Sequence, residues 1–206
     1  MKNIVIIGAG DLGKELVWLI EDINKRQPTY LILGFLDDDL QKNTYSFYGY
    51  KVLGGTDKLE ELNRKMPFSA VLAIQNGSTR KKIVEAHPDF DQWETIIHPT
   101  AVIASSTKIG KGSVFFPQVT VSVDTYLGNF GLYYIHSTIC NDCWIGNYVS
   151  IMANASISER AEVTAETLIP ANICVETNLN TGDDNNVCVS LSRPGITGCW
   201  NGKGSL

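Results

Sequence analysis

Three glycines near the amino terminus have a spacing that lets backbone atoms approach a phosphate. Gly8, Gly10 and Gly13 form a G-x-G-x-x-G pattern. An apolar run at 2–7 precedes the pattern and an amphipathic segment follows it, so strand, turn and helix come in the order that a dinucleotide-type turn needs. Glycine removes the side chains that would hold a ligand away, and the amino terminus of a helix favours an anion. We interpret the pattern as a nucleotide or nucleotide-sugar site, with a purely structural turn as the alternative.

Acidic and amide side chains follow two further apolar runs. The second apolar run leads into Asp37, Asp38 and Asp39, and the run 68–74 leads into a loop that contains Asn76. Ligands of α/β proteins bind at the carboxyl ends of the strands, where a carboxylate can accept hydrogen bonds from a ribose or a base. A plain polar loop is the competing interpretation for the three aspartates.

From residue 97 onward, an apolar or aromatic residue returns every six positions. The residues of this series are Ile97, Ile103, Ile109, Phe115, Val121, Leu127, Tyr133, Ile139, Ile145, Ile151, Ile157, Val163, Ile169 and Val175. Neither the helical period of 3.6 nor the strand period of 2 produces a repeat of six, whereas a hexapeptide β-helix does. In such a helix three units make one coil, and the first residue of each unit points inward. The fifth residue is mostly small and also fits inside, near a corner.

Two cysteines in this repeat could suggest a redox pair or half of a metal site. Cys143 takes an inward position and Cys140 an outward one, so their sulfurs should not converge. The sequence has no second pair that would complete a zinc site. We therefore predict no metal.

The composition excludes several classes of function. The chain has 206 residues and a net charge of -5, which argues against a protein that binds nucleic acid. Its only basic run, 80–82, is interpreted as a solvated helix face. No apolar run is long enough to span a membrane, and the first residues lack the features of a signal peptide. Five cysteines without framework spacing favour reduced thiols, so we expect a cytoplasmic protein.

Several stretches, taken in order, resemble one protein family. They are "VIIGAGDLGKE", "LILGFLDDD", "VLGGTDKL", "VLAIQNGSTRKKI" and "IIHPTAVI", and the hexapeptide repeats follow them. This order resembles the bacterial nucleotide-sugar acetyltransferases, which include sialic acid O-acetyltransferases and N-acetyltransferases of UDP-4-amino sugars. The resemblance implies a left-handed β-helix, whose usual mark is a glycine after an inward residue, as at Gly110, Gly128 and Gly146.

The predicted fold has two domains and a tail. An α/β Rossmann-like domain is expected at 1–96 and an all-β left-handed parallel β-helix at 97–180. An irregular cap or tail is expected at 181–206, where the repeat ends.

The resemblance also implies ligands and partners. Such proteins are homotrimers whose β-helices pack about a three-fold axis, and acetyl-CoA, the acyl donor, lies between adjacent prisms. The nucleotide sugar is held by the first domain. The implied binding residues are Gly8, Gly10, Asp37, Asp38 and Asn76.

The position of the family's general base differs in this chain. That base is a histidine in a coil resembling V-G-H-D-C-V, and the corresponding stretch "ICNDCW" has Asn141 there, followed by Asp142. An amide has no useful basicity near pH 7, and a general base typically contributes about 10²–10⁴-fold. His136 is expected one coil away as a relocated base, with a satisfied surface histidine as the alternative. The acetyl-CoA side is expected at Ser150, Glu159 and Ala171.

Three functions remain open at this point. The first is transfer of an acetyl group from acetyl-CoA to an amine or hydroxyl of a nucleotide-linked sugar in surface glycan biosynthesis. The second is a catalytically impaired relative, with Asn141 in place of the base, that binds a nucleotide sugar or a partner. The third is a dehydrogenase-like or NAD-sensing protein, which the glycine pattern and Asp37 allow but the β-helix does not explain.

Overall fold

The computed structural model describes residues 1–39 and 46–176, together with the backbone of a strand at 188–191. The chain divides into two compact units, Met1–Ile96 and Ile97–Leu206.

The first unit has the predicted Rossmann-like arrangement. Its strands are β1 (Lys2–Ile7), β2 (Tyr30–Leu36), β3 (Ser46–Phe47), β4 (Tyr50–Gly54) and β5 (Ser69–Leu72), in the sheet order β3-β4-β2-β1-β5. Only β3 runs antiparallel to its described neighbour, and the other pairs are parallel. The helices are α1 (Asp11–Arg26), α2 (Leu59–Lys65), which follows a 3-10 turn at Thr56–Lys58, and α3 (Gly77–Ala86).

Burial explains why these segments form this sheet. Ile4 and Ile6 of β1 are fully buried, and so is Val5 between them, because β1 lies between two parallel strands and is covered on both faces. Helix α1 buries Leu16 and Ile20 with other apolar residues at helical spacing along one face. The core therefore holds the carboxyl end of β1, and with it the glycine turn, in a defined position.

The second unit is the predicted left-handed parallel β-helix. Its strands β6–β18 have two residues each, and β19 (Ile173–Glu176) has four. In order, β6–β18 are Ile96–Ile97, Val102–Ile103, Lys108–Ile109, Val114–Phe115, Thr120–Val121, Tyr126–Leu127, Leu132–Tyr133, Thr138–Ile139, Trp144–Ile145, Ser150–Ile151, Ser156–Ile157, Glu162–Val163 and Leu168–Ile169.

The register confirms the period of six. Val121 pairs with Ile139, and Ile139 pairs with Ile157, so partners are 18 residues apart and one coil holds three units. The three sheets have the orders β20-β19-β16-β13-β10-β7, β17-β14-β11-β8 and β18-β15-β12-β9-β6. The inward series is buried from Phe115 to Val175. Ile97 is 41% exposed because it lies on the edge strand β6, with no coil before it in the stack.

The corners of the β-helix share one backbone conformation. The fourth residue of successive units has a positive φ near 60°, in the left-handed region. These residues are Gly112, Gln118, Asp124, Phe130, His136, Asp142, Tyr148, Asn154, Arg160, Glu166 and Asn172. That conformation costs a non-glycine residue roughly 1–2 kcal/mol. Hydrogen bonds to the preceding coil offset the cost, as when the N–H of Asp142 donates to the carbonyl of Val123 at 3.1 Å.

One further strand lies in the segment that was predicted to be an irregular tail. Strand β20 (Cys188–Leu191) pairs antiparallel with β19, with Val189 opposite Val175. The rest of the segment 181–206 lies outside the described residues.

Candidate functional site

The glycine turn after β1 is shaped by close backbone packing. Gly8 has φ +109°, and a Cβ there would lie 2.8 Å from the carbonyl oxygen of Ala73. Its N–H donates to the carbonyl of Leu36 at 2.8 Å. A Cβ on Gly13 would lie 2.5 Å from the carbonyl oxygen of Gly8. Gly10 differs, because a Cβ there would meet nothing within 4 Å. Gly8 and Gly13 thus serve packing, whereas Gly10 keeps space open.

The aspartates after β2 brace this turn. One carboxylate oxygen of Asp37 accepts the N–H of Ala9 at 2.7 Å, and the other accepts the N–H of Asp39 at 2.9 Å. Asp38 accepts the N–H and the hydroxyl of Thr56 at 2.7 and 2.9 Å. A carboxylate has about four acceptor sites in all, so these contacts are compatible with an additional hydrogen bond from a ribose. The role of the two aspartates as ligand acceptors remains a prediction.

A pocket of about 530 Å³ lies at this edge of the sheet. Its lining includes the predicted residues Gly8, Gly10, Asp37 and Asp38, together with Ile7, Leu36, Thr56, Ala73, Ile74, Thr79, Lys82, Ile83 and Ala86. Asn76, the fifth predicted binding residue, is not among these lining residues. Its side-chain oxygen accepts the N–H of Thr79 at 2.8 Å and caps helix α3.

Helix α3 supplies pocket residues that sequence reasoning missed. Thr79, Lys82, Ile83 and Ala86 are spaced by three or four positions, which is one helical face. That spacing, directly after a loop at the end of a buried strand, was the available signal. A lysine on the wall and the uncapped amino terminus of α1 at Gly10 both favour an anionic ligand.

The basic run at 80–82 was interpreted as a solvated face, and this is wrong for its first member. Arg80 is 2% exposed and donates to the carbonyls of Ile74 and Gln75 at 2.8 and 2.7 Å. The buried guanidinium satisfies two carbonyl groups of the loop between β5 and α3, so Arg80 holds this loop in place.

Charge reversal at Lys82 should weaken binding of a diphosphate-containing ligand. We expect Lys82→Glu to lower the affinity for a nucleotide sugar by about 100-fold, because it replaces attraction by repulsion of the phosphates. Isothermal titration calorimetry would measure the change. Lys81→Glu is the matched control, since it alters net charge equally on the same helix and lies outside the pocket lining. Equal losses in both variants would contradict a local role for Lys82.

Asn141 and Asp142 lie at one corner of the β-helix, between β13 and β14. The amide nitrogen of Asn141 donates to a carboxylate oxygen of Asp142 at 2.7 Å. In the next coil Glu159 and Arg160 occupy the same two positions, and the N–H of Arg160 donates to the carbonyl of Asn141 at 3.0 Å. A guanidinium nitrogen of Arg160 lies 3.5 Å from a carboxylate oxygen of Glu159. This corner therefore combines an amide, two carboxylates and a guanidinium. We call it the Asn141 corner.

His136 lies elsewhere, and the expectation that it stacks one coil from Asn141 is wrong. Its N–H donates to the carbonyl of Pro117, and it stands at the corner between β12 and β13. Residues stack at intervals of 18, so five positions along the chain lead to a different corner of the same coil.

The predicted acetyl-CoA residues are also spread over the prism. Glu159 is at the Asn141 corner, and Ala171 is at the same corner as His136, two coils further along the prism. Ser150 is fully buried on strand β15. Their contact with a cofactor stays a prediction.

Cys140 and Cys143 are free thiols, and Cys143 is buried at the inward position that the repeat predicts. Cys143 is 2% exposed, its thiol approaches the carbonyl of Ser158 at 3.1 Å, and burial raises the pKa of this thiol. Within residues 1–39 and 46–176, no group of three or more His, Cys, Asp or Glu residues could hold a metal ion. The helices that the structure describes are all too short or too polar to cross a membrane.

Comparison with known proteins identifies the first unit directly. Residues 3–87 match the model of the PglD N-terminal domain. The chain is 36% identical over 118 residues to the UDP-N-acetylbacillosamine N-acetyltransferase of Bacillus subtilis (strain 168), a match that covers 55% of this chain and 51% of the relative. The matched part thus spans about half the length of that curated relative.

Solved structures extend the similarity in fold over most of the chain. The acetyltransferase domain of PglB from Neisseria gonorrhoeae, solved with acetyl coenzyme A, has a TM-score of 0.65 at 22% identity and covers 84% of this chain and 95% of its own. Two variants of perosamine N-acetyltransferase from Caulobacter crescentus were solved with CoA and GDP-perosamine. The variant with one histidine replaced by alanine has a TM-score of 0.72 at 21% identity, covering 91% and 93%. The variant with a histidine replaced by asparagine has a TM-score of 0.66 at 21% identity, covering 87% and 90%.

The glycine turn and its pocket, the β-helix of hexapeptide coils and these similarities agree with one another. The first unit carries a PglD N-terminal domain, and the chain is similar to bacterial nucleotide-sugar acetyltransferases.

Proposed function

We propose that this protein transfers the acetyl group of acetyl-CoA to an amine of a nucleotide-linked sugar. The observation that carries the proposal is the presence, in one chain, of a glycine-turn pocket with Lys82 on its wall and a β-helix of the acetyltransferase type. The pocket would hold the nucleotide sugar through Gly8, Gly10, Asp37 and Asp38. The relatives whose structures or names are informative act on, or are crystallised with, sugars of this class.

The acyl donor is proposed to bind along the β-helix near the Asn141 corner. CoA is an anion, and Lys108, Lys111 and Arg160 are exposed cations on the β-helix that fit its charge. The relative with a histidine replaced by asparagine holds both CoA and GDP-perosamine in its crystal. This supports the view that asparagine in the place of the family histidine is compatible with binding of both substrates.

An amine is favoured over a hydroxyl as the acceptor. A neutral amine attacks a thioester with its own lone pair and must only lose a proton afterwards, whereas a hydroxyl must lose its proton during attack. Asn141 provides no base for the harder reaction. The relatives from Bacillus subtilis and Caulobacter crescentus are N-acetyltransferases by name, which agrees with this choice.

A homotrimer through the β-helix is part of the proposal. Val102, Tyr126 and Trp144 are exposed on outer faces of the prism, with Trp144 47% exposed and stacked on Tyr126 at 5.9 Å between ring centroids. A neighbouring prism would bury such side chains. Light scattering on the purified protein should give three times the chain mass, and a monomer would contradict this point. A cytoplasmic location stays a prediction.

The deciding experiment measures CoA release with a thiol reagent. Acetyl-CoA would be supplied with UDP-, GDP- and dTDP-linked 4-amino sugars, and with their 4-hydroxy counterparts as controls. We expect turnover with at least one amino sugar and none with the hydroxy sugars. Tight binding of a nucleotide sugar without any turnover would instead favour the impaired relative, and binding of NAD in a parallel titration would favour the dehydrogenase-like alternative.

A further inference from the structure

The Asn141 corner places one carboxylate directly over the position that lacks a base. We propose that Glu159 is the proton acceptor of the acetyl transfer, a role that rests on the proposed function. Its position in the coil is the same as that of Asn141, 18 residues later, because Ile139 pairs with Ile157. Successive coils are about 4.8 Å apart, so Glu159 and Asn141 stand at neighbouring positions of one stack.

Asp142 is less suited to the task than Glu159. One of its carboxylate oxygens already accepts a hydrogen bond from the amide nitrogen of Asn141 at 2.7 Å. Asp142 also has a left-handed φ of 59° at the corner, and Arg160 takes its position in the next coil. The carboxylate of Asp142 is therefore engaged in a contact that orients the side chain of Asn141.

Glu159 forms a long ion pair with the adjacent Arg160. The Glu159–Arg160 pair spans 3.5 Å, and both side chains are more than half exposed. Exposed ion pairs of this kind are worth little, so the pair with Arg160 does not keep the glutamate from meeting an ammonium group. The charged groups at this corner in the described coils are Asp124, Asp142 and Arg160, and Cys140 is the neighbouring titratable thiol.

The proposed step balances as follows. The amine nitrogen forms a bond to the thioester carbonyl carbon, which makes a tetrahedral intermediate with an ammonium group. Glu159 accepts one proton from that group, the carbon–sulfur bond breaks, and the CoA thiolate leaves. The proton on Glu159 then passes to the thiolate or to water, so amine and acetyl-CoA become amide and CoA. A carboxylate suffices because an acylated ammonium is acidic, whereas a sugar hydroxyl would need a stronger base.

Two substitutions separate proton transfer from binding. Glu159→Gln keeps the shape and removes the base, and we expect kcat to fall by about 100-fold while KM for both substrates changes by less than about threefold. Glu159→Asp should retain part of the rate. Glu162→Gln is the matched control, since Glu162 is an exposed carboxylate three residues further along the same coil, and its kcat should equal that of the wild type.

A rescue experiment tests the role rather than the fold. Adding Asn141→His to Glu159→Gln places an imidazole one coil from the lost carboxylate. We expect kcat of the double variant to be at least about tenfold higher than kcat of Glu159→Gln, and to rise with pH near 6.5. A wild-type kcat in Glu159→Gln would overturn the proposal, and so would a loss that appears only in KM. If the wild type itself turned over no amino sugar while both substrates bound, the proposed function would fail first, and the role of Glu159 with it.

Discussion

Replacing Gly10 by leucine should abolish nucleotide-sugar binding and leave the fold intact. Gly10 has an extended backbone that any residue can adopt, and a Cβ there would meet nothing within 4 Å. The side chain would therefore project into the pocket where the ligand is proposed to lie. We expect the affinity to fall by at least about 100-fold, or about 2.7 kcal/mol. The free energy of unfolding should change by less than about 1 kcal/mol, because Gly10 is the N-cap of α1 and the loss of an N-cap residue typically costs about that much.

The matched variant Gly8→Ala should show the opposite balance. Its φ of +109° disfavours any side chain, and the added Cβ would press on the carbonyl of Ala73. We expect a loss of about 2–4 kcal/mol in stability, measured by urea unfolding at fixed protein concentration. Calorimetric titration of both variants would complete the comparison. If Gly10→Leu bound the nucleotide sugar normally, the pocket would not be the binding site.

Tyr133→Ala should be the most destabilising single substitution in the β-helix. Tyr133 is fully buried, and its ring stacks on Phe115 at 4.5 Å between centroids with an angle of 22°. Removing a large ring from a packed interior costs about 3–5 kcal/mol, because the surrounding coils cannot close the cavity. Tyr133→Phe is the control, since it keeps the ring and should cost less than about 1.5 kcal/mol.

The same ring explains the glycine two residues before it. A Cβ on Gly131 would overlap the phenol of Tyr133, so a small inward residue and a large one share the space. Gly131→Ala alone should cost about 1–3 kcal/mol, and it should cost less in a Tyr133→Leu background. Additive losses in the double variant would show that the two sites do not share space. All values refer to one protein concentration, because association of chains would add to apparent stability.

Some features of the candidate site were predictable and others were not. The glycine turn and the aspartates after β2 were found from local order along the chain, because strand, turn and helix are adjacent in sequence. The pairing of Asp38 with Thr56, 18 residues later, was not visible, since it joins two loops through the sheet. The place of Lys82 on the pocket wall was not visible either, because only the packing of α3 decides which face of that helix lines the pocket.

The sequence alone determined the architecture of both units. An inward position in a hexapeptide coil must be apolar or small at every turn, so the period of six can be read directly from the sequence. The same holds for β1, whose uninterrupted apolar run requires burial on both faces. The sequence also has Asn141 at the position where the resemblance implies a histidine.

Tertiary structure decided which side chains share a corner. Stacking joins residues 18 apart, so Asn141 lies below Glu159, while His136, only five residues away in sequence, stands at another corner. Residues only a few positions apart in sequence stand at different corners of the prism, because each corner turns the chain onto a new face. The proposed role of Glu159 therefore depends on the register of the coils, which places this carboxylate one coil from Asn141.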